Sequence, residues 1–125
     1  MKHLKPADLA NLSQRLRILK SRAVEEIQDA SAEVAASLEQ AKDEVLDQVE
    51  AAEAHRFGDV RLAEIDIDRD TLDEIELAEK RIASGEYGRC VACKAAIPLA
   101  RLLALPTTAR CIDCQSEAEH RAHRP

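Results

Sequence analysis

Apolar residues recur through the first half of the chain at Leu9, Leu12, Leu16, Leu19, Ala23, Ile27, Ala30, Val34, Leu38, Ala41, Val45 and Val49. Their mean spacing is that of an α-helix, about 3.6 residues per turn. From Ala23 to Val45 the steps follow an eleven-residue repeat, which favours a nearly straight or weakly right-handed pair of helices. No Gly or Pro interrupts the stretch from Ala7 to Phe57. Pro6 suits the first position of a helix, where its missing N–H leaves nothing unpaired. A helix of about 40 residues is roughly 60 Å long. One so long, with a single narrow apolar stripe, needs a second helix to cover it.

The next segment supplies that helix. Val60, Ile67, Ile75, Ala78 and Ile82 form its stripe, and Leu62, Ile65, Leu72 and Leu77 widen it. The run stops at Gly85, a residue suited to the position after a helix end. Two long helices in succession predict an antiparallel hairpin. Two places could hold the turn. Gly58-Asp59 combines a helix stop with an N-capping residue. Arms of equal length put it instead near Asp47 to Ala52, and this arrangement is preferred. The expected organisation is a coiled-coil hairpin over 1–84 with its tip near 47–52, then a smaller module over 85–125.

Charge sharpens this picture. Met1 to Arg22 holds six Lys/Arg against one Asp, a balance of +5. Ala23 to Glu79 holds four against nineteen, −15, and Lys80 to Pro125 holds eight against four, +4. With the turn near 47–52 the two basic ends meet, and the acidic middle becomes an arm. Such an arm repels a phosphate backbone, which disfavours nucleic-acid binding along it. Aromatic residues are 2% of the chain, too few to build stacking platforms for single strands. No apolar run is long enough to span a membrane or resembles a secretory leader, so a cytoplasmic protein is expected.

The chemistry lies near the C-terminal end. Cys90-Val-Ala-Cys93 and Cys111-Ile-Asp-Cys114 are two CxxC pairs separated by residues 94–110. Each pair can turn both thiolates toward one ion, and two pairs complete a tetrahedron. Two disulfides are disfavoured without a mark of secretion, and a redox CxxC leaves the other pair unexplained. One structural Zn²⁺ per chain is therefore expected on Cys90, Cys93, Cys111 and Cys114. Four sulfur ligands leave no position for water or substrate, which argues against an enzyme. Between the pairs, Ile97 to Leu103 has room for one helical turn, and Cys111 opens a last helix from Ile112 to about Ala122. Leu102, Leu103, Leu105 and Ile112 are expected to pack around the metal. His120 and His123 are read as surface residues.

Gly85-x-Tyr87-Gly88-x-Cys90-x-x-Cys93, followed by Ile97, Arg101-Leu102, Pro106-Thr107 and Cys111-Ile-Asp-Cys114-Gln115, resembles the DksA/TraR family of zinc-finger transcription regulators. The resemblance implies an all-α-dominated fold: a long antiparallel helical hairpin, the coiled-coil arm, plus a small four-cysteine zinc-finger module with a C-terminal helix. It implies a monomer that binds RNA polymerase without binding DNA and inserts the arm through the secondary channel. The family's arm tip reads Asp-x-x-Asp-x-Ala. By the family's spacing, the counterpart here is Asp47, Glu50 and Ala52, with Glu for the second Asp. Family members that respond to guanosine tetraphosphate carry basic residues where this chain has Glu74, Leu105 and Gln115, so independence of that nucleotide is expected. Lys94 stands where the family often has Gly. The alternative is a zinc-stabilised protein–protein adaptor with another partner, which would not need Asp47 and Glu50. A nucleic-acid-binding zinc finger is a third class, disfavoured by the acidic arm.

Overall fold

A computed structural model describes residues 3–43 and 47–123. Four helices follow in order: α1 (Pro6–Asp43), α2 (Gln48–Ser84), α3 (Leu99–Ala104) and α4 (Ile112–Ala122). Among the described residues there is no strand, only an isolated antiparallel bridge between Arg89 and Ala96. The fold is all-α, a pair of long antiparallel helices plus a four-cysteine module.

Local chemistry explains the helix ends. Pro6 opens α1, and Asp8 reaches back to accept a hydrogen bond from the Lys5 N–H at 3.0 Å, half of a capping box. At the other end of α2, the Glu86 N–H donates to the Arg81 carbonyl (2.9 Å) and the Gly85 N–H to that of Ile82 (3.2 Å). With Gly85 at φ +78°, this is a Schellman stop. Gly58-Asp59 does not break α2. A glycine inside a helix costs only about 1 kcal/mol relative to Ala, and the flanking turns carry the helix through it.

The chain divides into two compact units. One combines the residues up to Leu19 with those from Glu74 onward, and the other runs from Lys20 to Asp73. In the first unit Leu4, Leu12 and Leu16 share a core with Ile75 and Ala78 and with Tyr87, Cys90, Ile97 and Leu102 of the cysteine module. The ends of both long helices are thus part of the module's core. Leu4 and Leu12 come from the start of the chain and Ile75 and Ala78 from the end of α2, which requires the helices to run antiparallel there.

The second unit is thinner. Among its described residues only Ala23, Ala30 and Ile65 are buried, two alanines on α1 and one isoleucine on α2. Arg61 reaches from α2 to Glu33 of α1 (2.7 Å) and also pairs with Glu64 one turn on. Its Nε is buried without a hydrogen-bond partner, a cost that offsets part of the pairing. Half-exposed ion pairs contribute about 0–1 kcal/mol. This one therefore does more to fix register than to stabilise the unit.

The stripe read along α2 needs correction. Ile65, Ile75 and Ala78 are buried, and Leu72 and Ile82 are half-buried. Val60 and Ile67 are 57% and 64% exposed, and Leu62 and Leu77 are exposed as well. On α1 the stripe is buried or half-buried from Leu9 to Val34, but Leu38 is exposed. The side chain of Ala41, and Val45 altogether, lie outside the described residues.

Candidate functional site

The cysteine module is held by the turn that ends α2. Beyond Gly85, the Tyr87 ring is buried and its hydroxyl donates to the Pro106 carbonyl at 2.8 Å. That bond ties the segment before the first CxxC to the segment before the second. Burial pushes the Tyr87 hydroxyl up to about 12, against the opposing pull of the Arg81 guanidinium. Arg81 also donates to the carbonyls of Glu86 and Arg89, bracing the same turn from the helix side. Gly88 has φ +88°, and a side chain there would meet Leu4: an ideal Cβ lies 2.7 Å from Leu4 Cδ1. His3 Nε2 sits 2.9 Å from the Ile97 carbonyl on the same side. This bracing is long-range, and in the sequence Tyr87 and Gly88 stand only as letters of a motif.

Backbone bonds set the two knuckles against each other. The Lys94 N–H donates to the Cys90 carbonyl (3.0 Å), closing the first. The Val91 N–H donates to Ala109 (2.8 Å), joining it to the chain before the second. Cys111 is the N-cap of α4, and Cys114 lies in its first turn. Lys94 takes φ +67°, a left-handed conformation that glycine adopts more readily.

These constraints gather all four sulfurs. The Sγ atoms of Cys90, Cys93, Cys111 and Cys114 lie within 4.8 Å of one another. Cys93 Sγ and Cys111 Sγ are 3.8 Å apart. A tetrahedral zinc with Zn–S bonds of about 2.3 Å requires sulfur–sulfur edges of about 3.8 Å, so the residues fit one zinc ion. Burial acts to raise the Cys90 thiol, but N–H groups of Cys93, Cys111 and Ala92 outweigh it and bring it down to about 6. Hydrogen bonds with the sulfurs of Cys111, Cys90 and Cys93 push Cys114 up to about 12. Four thiolates this close need a cation, and bound zinc supplies that charge and a cross-link. The expected packing around the site holds for Leu102, which is buried, and for the half-buried Leu103. Leu105 and Ile112 are instead 50% and 61% exposed. They face an open groove that they share with Glu74, Arg81, Arg101 and Gln115.

Asp47, Glu50 and Ala52 stand where α2 begins. Asp47 Oδ1 accepts a hydrogen bond from the Glu50 N–H at 2.8 Å, and the Asp47 carbonyl accepts one from Ala51 (3.0 Å). Asp47 is thus the N-cap of α2, with Glu50 at the third helical position. An Asp followed three residues later by Glu is a helix-start signature that could have been read from the sequence. All three side chains are exposed.

Residues 85–120 match the prokaryotic dksA/traR C4-type zinc finger. The solved structure of transcription factor DksA2 from Pseudomonas aeruginosa superposes with a TM-score of 0.81, covering 96% of this chain and 89% of that one. The chain carries a dksA/traR-type zinc finger on a DksA-like fold. At 23% identity the likeness to that structure is one of fold. Among curated relatives, the RNA polymerase-binding transcription factor DksA of Buchnera aphidicola is 39% identical over 56 residues, 45% of this chain and 37% of that protein. The protein of that name from Salmonella typhimurium is 35% identical over 71 residues, 57% and 46% of the two chains. The chain thus spans less than half the length of the curated relatives it matches.

Proposed function

We propose that this protein is a monomeric, cytoplasmic regulator of transcription that binds RNA polymerase through protein contacts alone. The acidic hairpin enters the secondary channel, and Asp47, Glu50 and Ala52 act at its tip. One observation carries this reading: an Asp-x-x-Glu-x-Ala segment opens the second helix of a DksA-like hairpin joined to a C4-type zinc finger. The names of the Buchnera and Salmonella relatives, RNA polymerase-binding transcription factors, support the partner. Cys90, Cys93, Cys111 and Cys114 hold zinc as a structural cross-link. The protein is a regulator rather than an enzyme, since the four sulfurs fill the metal's coordination shell.

Independence of guanosine tetraphosphate belongs to the same proposal. Glu74, Leu105 and Gln115 line one groove and offer no cation to a phosphate. Three guanidiniums also line that groove: Arg81 donates to the carbonyls of Glu86 and Arg89, Arg101 donates to that of Arg110 at 3.1 Å, and Arg110 itself is the third; none replaces the basic residues expected at positions 74, 105 and 115. The experiment is in vitro transcription from promoters with unstable open complexes, paired with a binding assay against purified core polymerase. Binding together with a change in transcript yield is the expected result. Absence of binding at micromolar concentrations rejects the proposal.

A further inference from the structure

Five large apolar side chains on α2 are left in water within the Lys20–Asp73 unit, and all but Leu62 lie toward one side of the helix. Val49 is 65% exposed, Phe57 45%, Val60 57% and Ile67 64%. Steps of eleven and seven residues bring Val49, Val60 and Ile67 within about 20° of one direction on a helix of 3.6 residues per turn. Phe57 stands beside them, one turn before Val60. Ile65, buried against α1, points about 140° to 160° away. Val49, Val60 and Ile67 therefore form a line along one side of the helix, with Phe57 about 60° to 80° to its flank, and the line is distinct from the packed side. Single exposed apolar residues need no explanation, but an aligned set marks a contact surface.

The charge around this line states the chemistry of what covers it. From Gln48 to Ile67 the helix carries Glu50, Glu53, Asp59, Glu64 and Asp66 against Arg56 and Arg61. Residues 23–79 as a whole carry −15. A second acidic arm or an anionic lipid surface would be repelled. The matching surface is basic at its rim and apolar where it meets the line. We propose that the Val49–Phe57–Val60–Ile67 face of α2 is the side on which the arm docks, against a basic, apolar-lined surface of RNA polymerase. This rests on the polymerase-binding reading above and adds the face by which the arm is held. Apolar contact supplies the grip, and the flanking carboxylates set the orientation.

The test uses the full-length, zinc-loaded protein and core polymerase. Val60→Gln with Ile67→Gln removes apolar surface, and Gln keeps helix propensity. Both positions are exposed, so far-UV helicity and thermal midpoint should match wild type. Leu62→Gln is the control: Leu62 is 50% exposed but lies about 140° to 160° from the line. Competition binding should weaken tenfold or more for the double variant and less than twofold for Leu62→Gln. If wild type binds and both variants bind within twofold of it, the docking face is wrong while the polymerase reading stands. If wild type does not bind, the polymerase reading falls and this proposal with it. If sedimentation shows wild type self-associating and the double variant monomeric, the occupant is a second copy and the proposal is overturned.

Discussion

The three glycines of this chain should respond to alanine in three different ways, and Gly88 should suffer most. Gly88→Ala puts a side chain on a residue at φ +88°, which costs about 1–2 kcal/mol for an L-residue. It also places Cβ 2.7 Å from Leu4 Cδ1. Leu4 could swing away, but it is 4% exposed and packed among Leu12, Tyr87 and Ile97, so its movement displaces the core. Overpacking of this kind costs about 1–3 kcal/mol. The combined loss is about 2–5 kcal/mol, a large share of a typical domain's stability. Gly85→Ala meets nothing within 4 Å and carries the backbone cost alone, about 1–2 kcal/mol at φ +78°. Gly58→Ala lies in α2 with nothing within 4 Å and should stabilise by up to about 1 kcal/mol. Tyr87 is the sole tyrosine and there is no tryptophan, so intrinsic fluorescence reports on the module during guanidinium unfolding. A double-mutant cycle isolates the contact: Leu4→Ala should cost about 2–5 kcal/mol alone. Combined with Gly88→Ala, the loss should fall short of the sum by the clash, about 1–3 kcal/mol. Equal effects of Gly88→Ala and Gly85→Ala, or strict additivity in the cycle, would refute the docking of Leu4 on Gly88.

Cys114→Ser should lose the one equivalent of zinc measured by metal analysis and unfold the module, because about 10 kcal/mol of metal binding becomes folding energy. Much of the long-helix ellipticity should persist, and retention of stoichiometric zinc would count against the site. Zinc affinity should fall as pH falls, since the ligands bind as thiolates: Cys114, pushed up to about 12, must shed its proton to bind, and Cys90, brought down to about 6, becomes protonated below that pH. Asp47→Asn keeps a good N-cap but removes the charge; it should leave polymerase affinity within a few-fold while abolishing most of the transcriptional effect. Asp47→Ala should additionally fray α2 by about 1 kcal/mol, and Glu50→Asp should preserve or raise activity; wild-type transcription by Asp47→Asn would displace the tip from this segment. Guanosine tetraphosphate should change transcription less than twofold on a polymerase lacking its other nucleotide site, and strong potentiation would overturn the reading of the groove.

Whatever depends on near neighbours in the chain was legible before any coordinate. Helix period, the Gly85 stop and the last helix from Ile112 are properties of a few consecutive turns, and all appear where the pattern puts them. The four-cysteine cluster was equally legible, because CxxC spacing is a local geometric constraint and only four cysteines exist to satisfy it. The face that each helix buries was a different matter. Around α2, Val60 and Ile67, Ile65 and Leu72, and Leu62 point in separate directions. A one-dimensional pattern offers several candidate stripes of similar strength. Only the position of α1, which buries Ala23 and Ala30 and sets Glu33 against Arg61, selects Ile65 over Val60. Likewise Gly88 is glycine because Leu4, eighty-four residues earlier in the chain, comes to rest against it. Such contacts depend on where distant segments meet in space, and that is decided by tertiary packing.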